Sequence, residues 1–186
     1  MSPGIVPGSE LPLVSVFPYR SQARQVLWSL KFHGKRSAAH SIGYTMADAF
    51  IASPFADKPG WLLCCVPMTA HKRKDQGFNH SELLARAAAR WLGLECAPGL
   101  LVKIRDTPAQ HGLFRQERLT NLLGAYAAAE PGRIAGRSIL LCDDVCTTGG
   151  TLCETARVLY EAGAAQVICL TYLRTDLEEE DFDDAV

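Results

Sequence analysis

Short, unbroken apolar runs alternate with stretches of helical periodicity along this chain. Apolar runs without a polar break predict strands that are buried on both faces, as in a parallel sheet. Trp61–Val66 and Ile139–Cys142 are such runs, and Val167–Tyr172, in which Thr171 is polar, is interpreted as the last strand. Apolar residues spaced three and four apart predict helices over 21–32, 38–52, a stretch that opens at Asn79, and 152–161. The alternation predicts an α/β fold, in which helices flank a parallel sheet.

The remaining segments carry weaker signals. Met1 to Pro18 is rich in Pro and Gly and is predicted to be irregular. Leu100 to Ile104 is interpreted as a further strand, and Ala125 to Ala129 as an edge strand. Arg105 to Arg118 is polar and long for a loop, which is typical of a functional or mobile segment.

Charge is distributed unevenly along the 186 residues, although the net charge is only −1. The last eleven positions, 176–186, hold seven acidic residues and no basic one. Without them, 19 basic residues stand against 13 acidic ones, which gives +6 and suits a phosphate-rich ligand or a nucleic acid. We expect a single domain over 1–175 and a solvated, mobile acidic tail over 176–186. A tail that folds back as a phosphate mimic is the alternative.

The cysteines and the hydropathy pattern bear on the cellular compartment in which the protein is found. Seven cysteines form no paired C-x-x-C knuckles, so buried, reduced thiols are expected rather than a disulfide framework or a cysteine metal site. Met1 to Glu10 lacks the basic and apolar regions of a signal peptide. No apolar run approaches the roughly 20 residues that span a bilayer. We therefore expect a cytoplasmic protein without a membrane span.

The stretch from Asp143 to Thr151 has the layout of a phosphate site. It follows a predicted buried strand and leads into a predicted helix. Glycines let the backbone approach an anion, which free amides and the positive end of the helix dipole then hold. Asp143 and Asp144 cannot bind phosphate, but they suit ribose hydroxyls or a divalent metal such as Mg²⁺. The alternative is an ordinary strand-to-helix turn with capping threonines and two solvated aspartates.

A basic segment follows the predicted strand Trp61–Val66. Lys72, Arg73 and Lys74 are interpreted as a loop, and Asn79 with Glu82 as a capping box that opens the next helix. Because ligands bind beyond the carboxyl ends of parallel strands, this loop and the acidic stretch are expected to face one crevice. The alternative is that this segment is only a solvated run of charges. The same alternative holds for the basic face that Lys31 and its neighbours form on the first helix.

These stretches resemble the signature of type I phosphoribosyltransferases, and the chain is similar to the ComF/GntX competence-protein family within that superfamily. The resemblance to the superfamily lies in Asp143, Asp144, Val145, Thr147, Thr148, Gly149 and Thr151. Further ComF/GntX landmarks are Tyr19, Leu30-Lys31-Phe32, Gly34, Val66-Pro67, Gly77-Phe78-Asn79, Thr107, Gln110, Arg118, Asn121 and Gly124. The expected fold is accordingly a type I phosphoribosyltransferase-like parallel sheet with helices on its faces and a small hood or lid region. In related enzymes the region after the third strand often closes over the site, so the resemblance makes Arg105 to Arg118 the candidate lid.

The resemblance implies 5-phosphoribosyl 1-diphosphate (PRPP) as the ligand and Mg²⁺ as the cofactor. Asp143 and Asp144 are the implied catalytic residues, which contact the ribose hydroxyls and hold the metal directly, through water or through the ribose. The implied substrate-binding residues are Lys72, Arg73, Thr147, Thr148, Gly149, Gly150, Thr151 and Lys31. Diphosphate would lie by Lys72 and Arg73, and the 5′-phosphate by the Thr/Gly loop.

Three departures from the family pattern bear on function. Gln76 stands where the family commonly has an arginine, which removes one candidate diphosphate contact, and His80 replaces the usual glutamine. Gly150 stands where alanine or serine is more frequent. The family's N-terminal Cys-x-x-Cys zinc module has no counterpart in the sequence.

Two functions fit these features. The first is an enzyme that transfers 5-phosphoribose from PRPP to an acceptor, for which Asp144 and His111 are the candidate general bases. The alternative is a non-catalytic competence factor that binds PRPP and single-stranded DNA during natural transformation, with Trp28, Phe32 and Phe78 as candidate stacking residues. The expected partners are PRPP, with single-stranded DNA and a second copy of the chain as further candidates.

Overall fold

A six-stranded sheet forms the centre of the protein in a computed structural model, which describes residues 3–32, 36–57, 60–107 and 122–175. Its strands are β1 (Gly4–Ile5), β2 (Pro12–Pro18), β3 (Trp61–Cys65), β4 (Glu95–Cys96), β7 (Ser138–Cys146) and β8 (Gln166–Arg174). They lie in the order β1-β2-β8-β7-β3-β4, and every neighbouring pair is parallel except β1 with β2. The predicted α/β architecture with a mostly parallel sheet is confirmed.

Six helices accompany the sheet in the described residues. They are α1 (Ser21–Phe32), α2 (Arg36–Ile51), α3 (Ala70–Gln76), α4 (His80–Leu92), α5 (Pro131–Ile134) and α6 (Gly150–Glu161). None of the helices in the described residues is long and apolar enough to cross a membrane.

One face of the sheet is covered by α1, α2 and α4. The apolar stripe predicted for α2 is buried there, including Ile42 and Met46, together with Leu84 of α4. The two helices approach closely at Gly43, where a Cβ atom would come within 2.3 Å of the Ala87 Cβ. A side chain at this position would therefore push α2 away from α4 and open the core.

The other face is covered by α6, α5 and a small second sheet. That sheet pairs β5 (Leu101–Lys103) with β6 (Tyr126–Ala128) in antiparallel fashion, and a 3₁₀ turn (Pro98–Leu100) leads into it. Leu101 and Tyr126 are buried in the same apolar cluster as Leu152 of α6 and Leu141 of β7. We call this two-stranded unit the hood, because it lies over the face of the main sheet that carries α6.

The N-terminal segment departs from the prediction. Met1 to Pro18 was expected to be irregular, yet β2 runs parallel to β8 from Leu13↔Cys169 to Pro18↔Arg174. Val14 and Val16 are buried on one face and Leu13 on the other. Prolines stand at the two ends of β2, but the mostly apolar residues between them form a strand that extends the sheet beyond β8.

Several expectations lie wholly or partly outside the described residues. These are the lid over Arg105 to Arg118, which is described only to residue 107, the acidic tail 176–186, the side chains of Lys31 and Phe32, and His111. The predictions for these residues, and the division into a domain and a tail, remain predictions.

Candidate functional site

The acidic pair lies where β7 loses one of its two neighbouring strands. On one side, β3 pairs with β7 only as far as Cys65↔Cys142, and the Val66 amide then donates to the Cys142 carbonyl at 3.0 Å. On the other side, β8 continues to pair with β7 through Cys146. Asp143 and Asp144 are therefore part of a strand, and the prediction that the strand ends at Cys142 was too short. They lie at the carboxyl edge of the sheet, as expected.

Asp143 is held firmly, with only 9% of its surface exposed. The Ser81 hydroxyl donates a hydrogen bond to its Oδ1 at 2.6 Å. The Asp144 amide donates to the same oxygen at 2.9 Å. These two bonds fix the rotation of the carboxylate, whereas Asp144 is only half-buried.

The Thr/Gly loop forms a small pocket next to Asp143. Its lining consists of Asp143 and the consecutive residues from Val145 to Leu152. Gly149 has φ +79°, and a Cβ on it would lie 2.3 Å from Val6 Cγ1. Both the backbone conformation and the packing therefore require glycine here.

The start of α6 suits an anion. The helix begins at Gly150, one residue after the left-handed Gly149, and no described side chain caps it. The first amides of a helix have no partner within the helix, and the helix dipole places partial positive charge on them. Thr148 is buried behind the loop, while Thr147 is exposed and Thr151 is half-buried. All five predicted loop residues thus surround the same small pocket.

The basic segment is a short helix rather than the predicted loop. The Thr69 hydroxyl caps α3 by accepting from the Lys72 amide at 3.4 Å, and Gly77 ends it at φ +78°. None of the seven residues of α3, all of them described, is buried. Arg73 forms an ion pair with Glu82 of α4 at 3.0 Å. The basic side chains therefore lie exposed on a short helix. The caps at Thr69 and Gly77 stabilise this helix, although three consecutive residues in it are basic.

The predicted capping box is only half present. Asn79 caps α4 by accepting from the Ser81 amide at 3.1 Å. Glu82, however, pairs with Arg73 and with Arg86, each at 3.0 Å. The acidic side chain thus connects α3 to α4 instead of closing the box.

The hood contributes a cation that sequence reasoning missed. The Lys103 ammonium donates to Thr107 Oγ1 at 2.9 Å and lies 5.2 Å from the ring centroid of Tyr126. Its pKa is lowered, first by burial and then by the positive charge of Lys72, while Asp106 and Asp143 act in the opposite direction. Lys103 is therefore within electrostatic reach of both the basic helix and the acidic pair. Nothing in its sequence context distinguished it from an ordinary strand lysine.

Tyr126 and Glu154 connect the hood to α6. Burial, followed by the charge of Asp143, raises the pKa of Tyr126 to about 12, and a hydrogen bond with the Thr151 side chain acts against this rise. The Gly124 amide donates to Glu154 Oε1 at 2.8 Å, and Arg157 binds both carboxylate oxygens of Glu154 at 2.8 Å. The hydrogen bonds from Arg157, followed by the one from Gly124, hold the pKa of Glu154 below its usual value.

The oxygen donors of this site suit a hard cation. Mg²⁺ is commonly bound by one or two carboxylates together with water and substrate phosphates. Asp143 and Asp144 supply that number of carboxylates beside the Thr/Gly pocket. No group of three or more His, Cys, Asp or Glu residues that could hold a metal by itself occurs among the described residues. A metal here would therefore depend on ligand oxygens as well.

Sequence comparisons identify the class of protein. Residues 79–185, more than half of the chain, match the family described as phosphoribosyl transferase domain. The DNA utilization protein YhgH of Salmonella typhi is 32% identical over 166 residues, which cover 85% of this chain and 70% of that protein. The competence protein ComFC of Bacillus subtilis is 28% identical over 171 residues, which cover 87% of this chain and 63% of that protein.

The chain therefore belongs to the phosphoribosyl transferase domain family. Within it, the chain is a ComF-like member of the type I phosphoribosyltransferases, as the resemblance implied. The matched part of this chain covers 62% to 70% of the length of these YhgH and ComFC relatives.

Solved structures show weaker similarity. The phosphoribosylpyrophosphate synthetase of Mycobacterium smegmatis superposes with a TM-score of 0.43 and 18% identity over 74% of this chain and 33% of that chain. The adenine phosphoribosyltransferase of Thermoanaerobacter pseudethanolicus gives 0.42 and 15% over 77% of this chain and 82% of that chain. The assignment to the family rests on the sequence matches.

Proposed function

We propose that the protein binds PRPP with Mg²⁺ and transfers its 5-phosphoribosyl group to an acceptor. The observation that carries this proposal is the arrangement around Asp143. The carboxylate is fixed at the edge of the sheet, directly beside the uncapped start of α6. A neutral or purely anionic ligand would use only one of these features, whereas a ribose phosphate uses both.

The 5-phosphoribosyl part of the ligand fits the β7–α6 turn. Amides at the start of α6 and the hydroxyls of Thr147 and Thr151 are the groups that we assign to the 5′-phosphate. Asp143 and Asp144 are assigned to the ribose hydroxyls and, through ligand oxygens, to Mg²⁺. Gly149 and Gly150 keep this turn narrow enough for the backbone to reach the phosphate.

Cations of α3 and of the hood are assigned to the diphosphate. Lys72 and Arg73 lie on α3, and Lys103 approaches from the hood. When the bond between ribose C1 and the diphosphate oxygen breaks, the bonding pair leaves with diphosphate and positive charge develops on the ring. Cations placed near the leaving group stabilise this charge separation, and Mg²⁺, when bound, adds to it. The acceptor then forms the new bond at C1 and loses a proton.

Thermal stability with and without ligand tests the proposal. Millimolar PRPP with Mg²⁺ is expected to raise the melting temperature of the wild-type protein, because a ligand that binds only the folded state stabilises it. The double variant Asp143→Ala, Asp144→Ala should lose this shift. Asp75→Ala, which removes an exposed carboxylate of α3, is the matched control and should keep it. A wild-type protein that does not respond to PRPP would exclude this ligand.

A second candidate function is binding of single-stranded DNA. It is supported by the names of the relatives, a DNA utilization protein and competence proteins, and by one surface feature. Trp28 is 45% exposed, and the Arg24 guanidinium lies 5.5 Å from its ring. Stacking on an aromatic ring beside a cation is a common mode of single-strand binding. Phe78 fits this role less well, because it packs against the core and against His80.

Salt dependence and a pair of tryptophan variants test the DNA function. Binding of a labelled oligothymidylate should weaken steeply with salt, since cations that contact phosphates release counterions. Trp28→Ala should weaken binding about tenfold or more, as expected for the loss of one stacked base. Trp91→Ala is the matched control, because Trp91 is a similarly exposed tryptophan on a different helix, α4. Equal effects of the two variants would contradict a stacking role for Trp28.

A further inference from the structure

Ser81 lies at the contact between the start of α4 and the acidic pair. It is 62 positions away from Asp143 in sequence, yet its hydroxyl donates to Asp143 Oδ1 at 2.6 Å. Only 6% of the Ser81 surface and 9% of the Asp143 surface are exposed. Hydrogen bonds to a buried, charged acceptor are among the strongest that a neutral side chain makes. The hydrogen bond between Ser81 and Asp143 is therefore expected to be stronger than one between solvent-exposed side chains.

The position of Ser81 is itself fixed by the end of β3. The Asn79 side chain donates to the Val66 carbonyl at 3.0 Å and accepts from the Ser81 amide at 3.1 Å. A single chain of hydrogen bonds thus runs from the end of β3 through Asn79 and Ser81 to the carboxylate on β7. The open edge created where β3 ends is bridged by side chains instead of by strand pairing.

The hydrogen bond from Ser81 also affects the direction in which the Asp143 carboxylate points. Ser81 and the Asp144 amide both donate to Oδ1, from a side chain and from the backbone. Two donors on one oxygen fix the carboxylate plane and with it the direction in which Oδ2 points. Removing Ser81 takes away the side-chain donor to Oδ1, which weakens the constraint on rotation of the carboxylate about its χ2 angle.

We propose that Ser81 is a positioning residue, which orients the Asp143 carboxylate toward the ribose hydroxyls of the bound ligand. The inference rests on the proposed function, because it assigns Ser81 a role in PRPP recognition. Ser81 acts through Asp143 and does not itself touch the ligand. Its effect should be confined to the ribose part of the ligand, since the diphosphate is assigned to α3 and the hood.

Ligand fragments separate this role from a general structural one. Calorimetric titrations with PRPP, ribose 5-phosphate and inorganic pyrophosphate, each with Mg²⁺, are compared for the wild type, Ser81→Ala and Ser81→Thr. In Ser81→Ala, affinity for PRPP and ribose 5-phosphate should fall about tenfold or more, as expected for losing a hydrogen bond to a charged group. Pyrophosphate affinity should stay within about twofold of wild type. Ser81→Thr keeps the hydroxyl and should restore ribose 5-phosphate binding.

Each outcome has a defined meaning. Wild-type protein that binds neither PRPP nor ribose 5-phosphate overturns the proposed function. Wild-type binding that is unchanged in Ser81→Ala, or lost equally for all three ligands, overturns the role of Ser81 and leaves the proposed function standing. If Ser81→Ala does not fold, Ser81→Cys replaces it, because a thiol preserves most of the volume but is a weak donor. The same selective loss is then expected.

Discussion

The acidic Thr/Gly turn and the basic helix α3 both follow the carboxyl end of a central strand, yet they are built in different ways. Asp143 and the turn after it are held by pairing with β8, by Ser81 and by contact of Gly149 with Val6. The seven residues of α3 bury none of their side chains and depend on caps at the two ends. Burial thus fixes the half of the site assigned to ribose, whereas the half assigned to diphosphate is fixed mainly by local structure.

The largest expected difference in stability between the two regions comes from substituting one glycine in each of them. Gly149→Ala places a Cβ at a positive φ and 2.3 Å from Val6 Cγ1. Left-handed strain and overpacking together are expected to cost about 3 kcal/mol of unfolding free energy. Gly77→Ala is the matched variant, because φ is +78° but no described atom lies within 4 Å of the new Cβ. It should cost only about 1 kcal/mol.

Urea unfolding of the two variants measures this difference directly. Equal losses at both positions would contradict the claim that packing against Val6 holds the Thr/Gly turn. A larger loss at Gly77 would reverse the comparison and make α3 the more constrained half of the site.

Ligand affinity provides the next contrast between the two regions. Asp143→Asn should lower PRPP affinity about a hundredfold, which corresponds to roughly 2.7 kcal/mol, because a fixed buried carboxylate is replaced by a neutral amide. Lys72→Gln should lower it about fivefold, because an exposed cation on a short helix is screened by solvent. The measurement is PRPP titration with Mg²⁺ at low and high salt. Only the contribution of Lys72 should shrink at high salt, and a salt-dependent effect of Asp143→Asn would contradict this assignment.

The smallest expected effects on stability come from removing one carboxylate in each region, Glu154 on α6 and Asp75 on α3. Glu154→Gln weakens the hydrogen bond from the Gly124 amide, just before β6, to α6 and the ion pair with Arg157 within α6, and should cost about 1 kcal/mol of stability. Asp75→Asn alters the exposed contact between the Asp75 carboxylate and His71 on α3 and should leave stability unchanged within error. Thermal melts of both variants at neutral pH test this pair.

The contribution of Glu154 should also depend on pH. Its pKa is lower in the folded protein than its usual value of 4.5, so the unfolded chain takes up the proton more readily. The stabilisation by Glu154 is therefore complete above about pH 4.5 and is lost as the pH falls through the lowered pKa. The stability difference between wild type and Glu154→Gln should shrink below pH 4.5. A difference that grows in acid would contradict the direction of this shift.

Much of the fold was predictable from local patterns. The runs beginning at Trp61, Ile139 and Val167 became β3, β7 and β8, because the part of a strand that is covered on both faces is mostly apolar. The N-terminal strand β2 was missed, since its partner β8 is more than 150 residues away and its own ends are prolines. The conformation of Lys72 to Lys74 was also predicted wrongly, because the Thr69 cap had not been recognised as the start of a helix.

The site was predicted in part. The types and order of residues from Asp143 to Thr151 indicated a ribose-phosphate site, because glycines, hydroxyls and a helix start have a chemical meaning in sequence alone. Ser81, Lys103 and Glu154 were not found. Each is a single polar residue in an ordinary helix or strand, and its importance comes from a partner at a distant position.

The acidic pair followed by the Thr/Gly turn was therefore determined by the sequence, since the chemistry of the segment and its strand-to-helix setting are local. Only the tertiary structure decided how Asp143 is oriented, which hood lysine approaches it and how the basic residues are presented. These features depend on where β3 ends relative to β7, and on which side chains then reach across the open edge. Such contacts join residues far apart in the chain, so local periodicity and motif spacing carry no record of them.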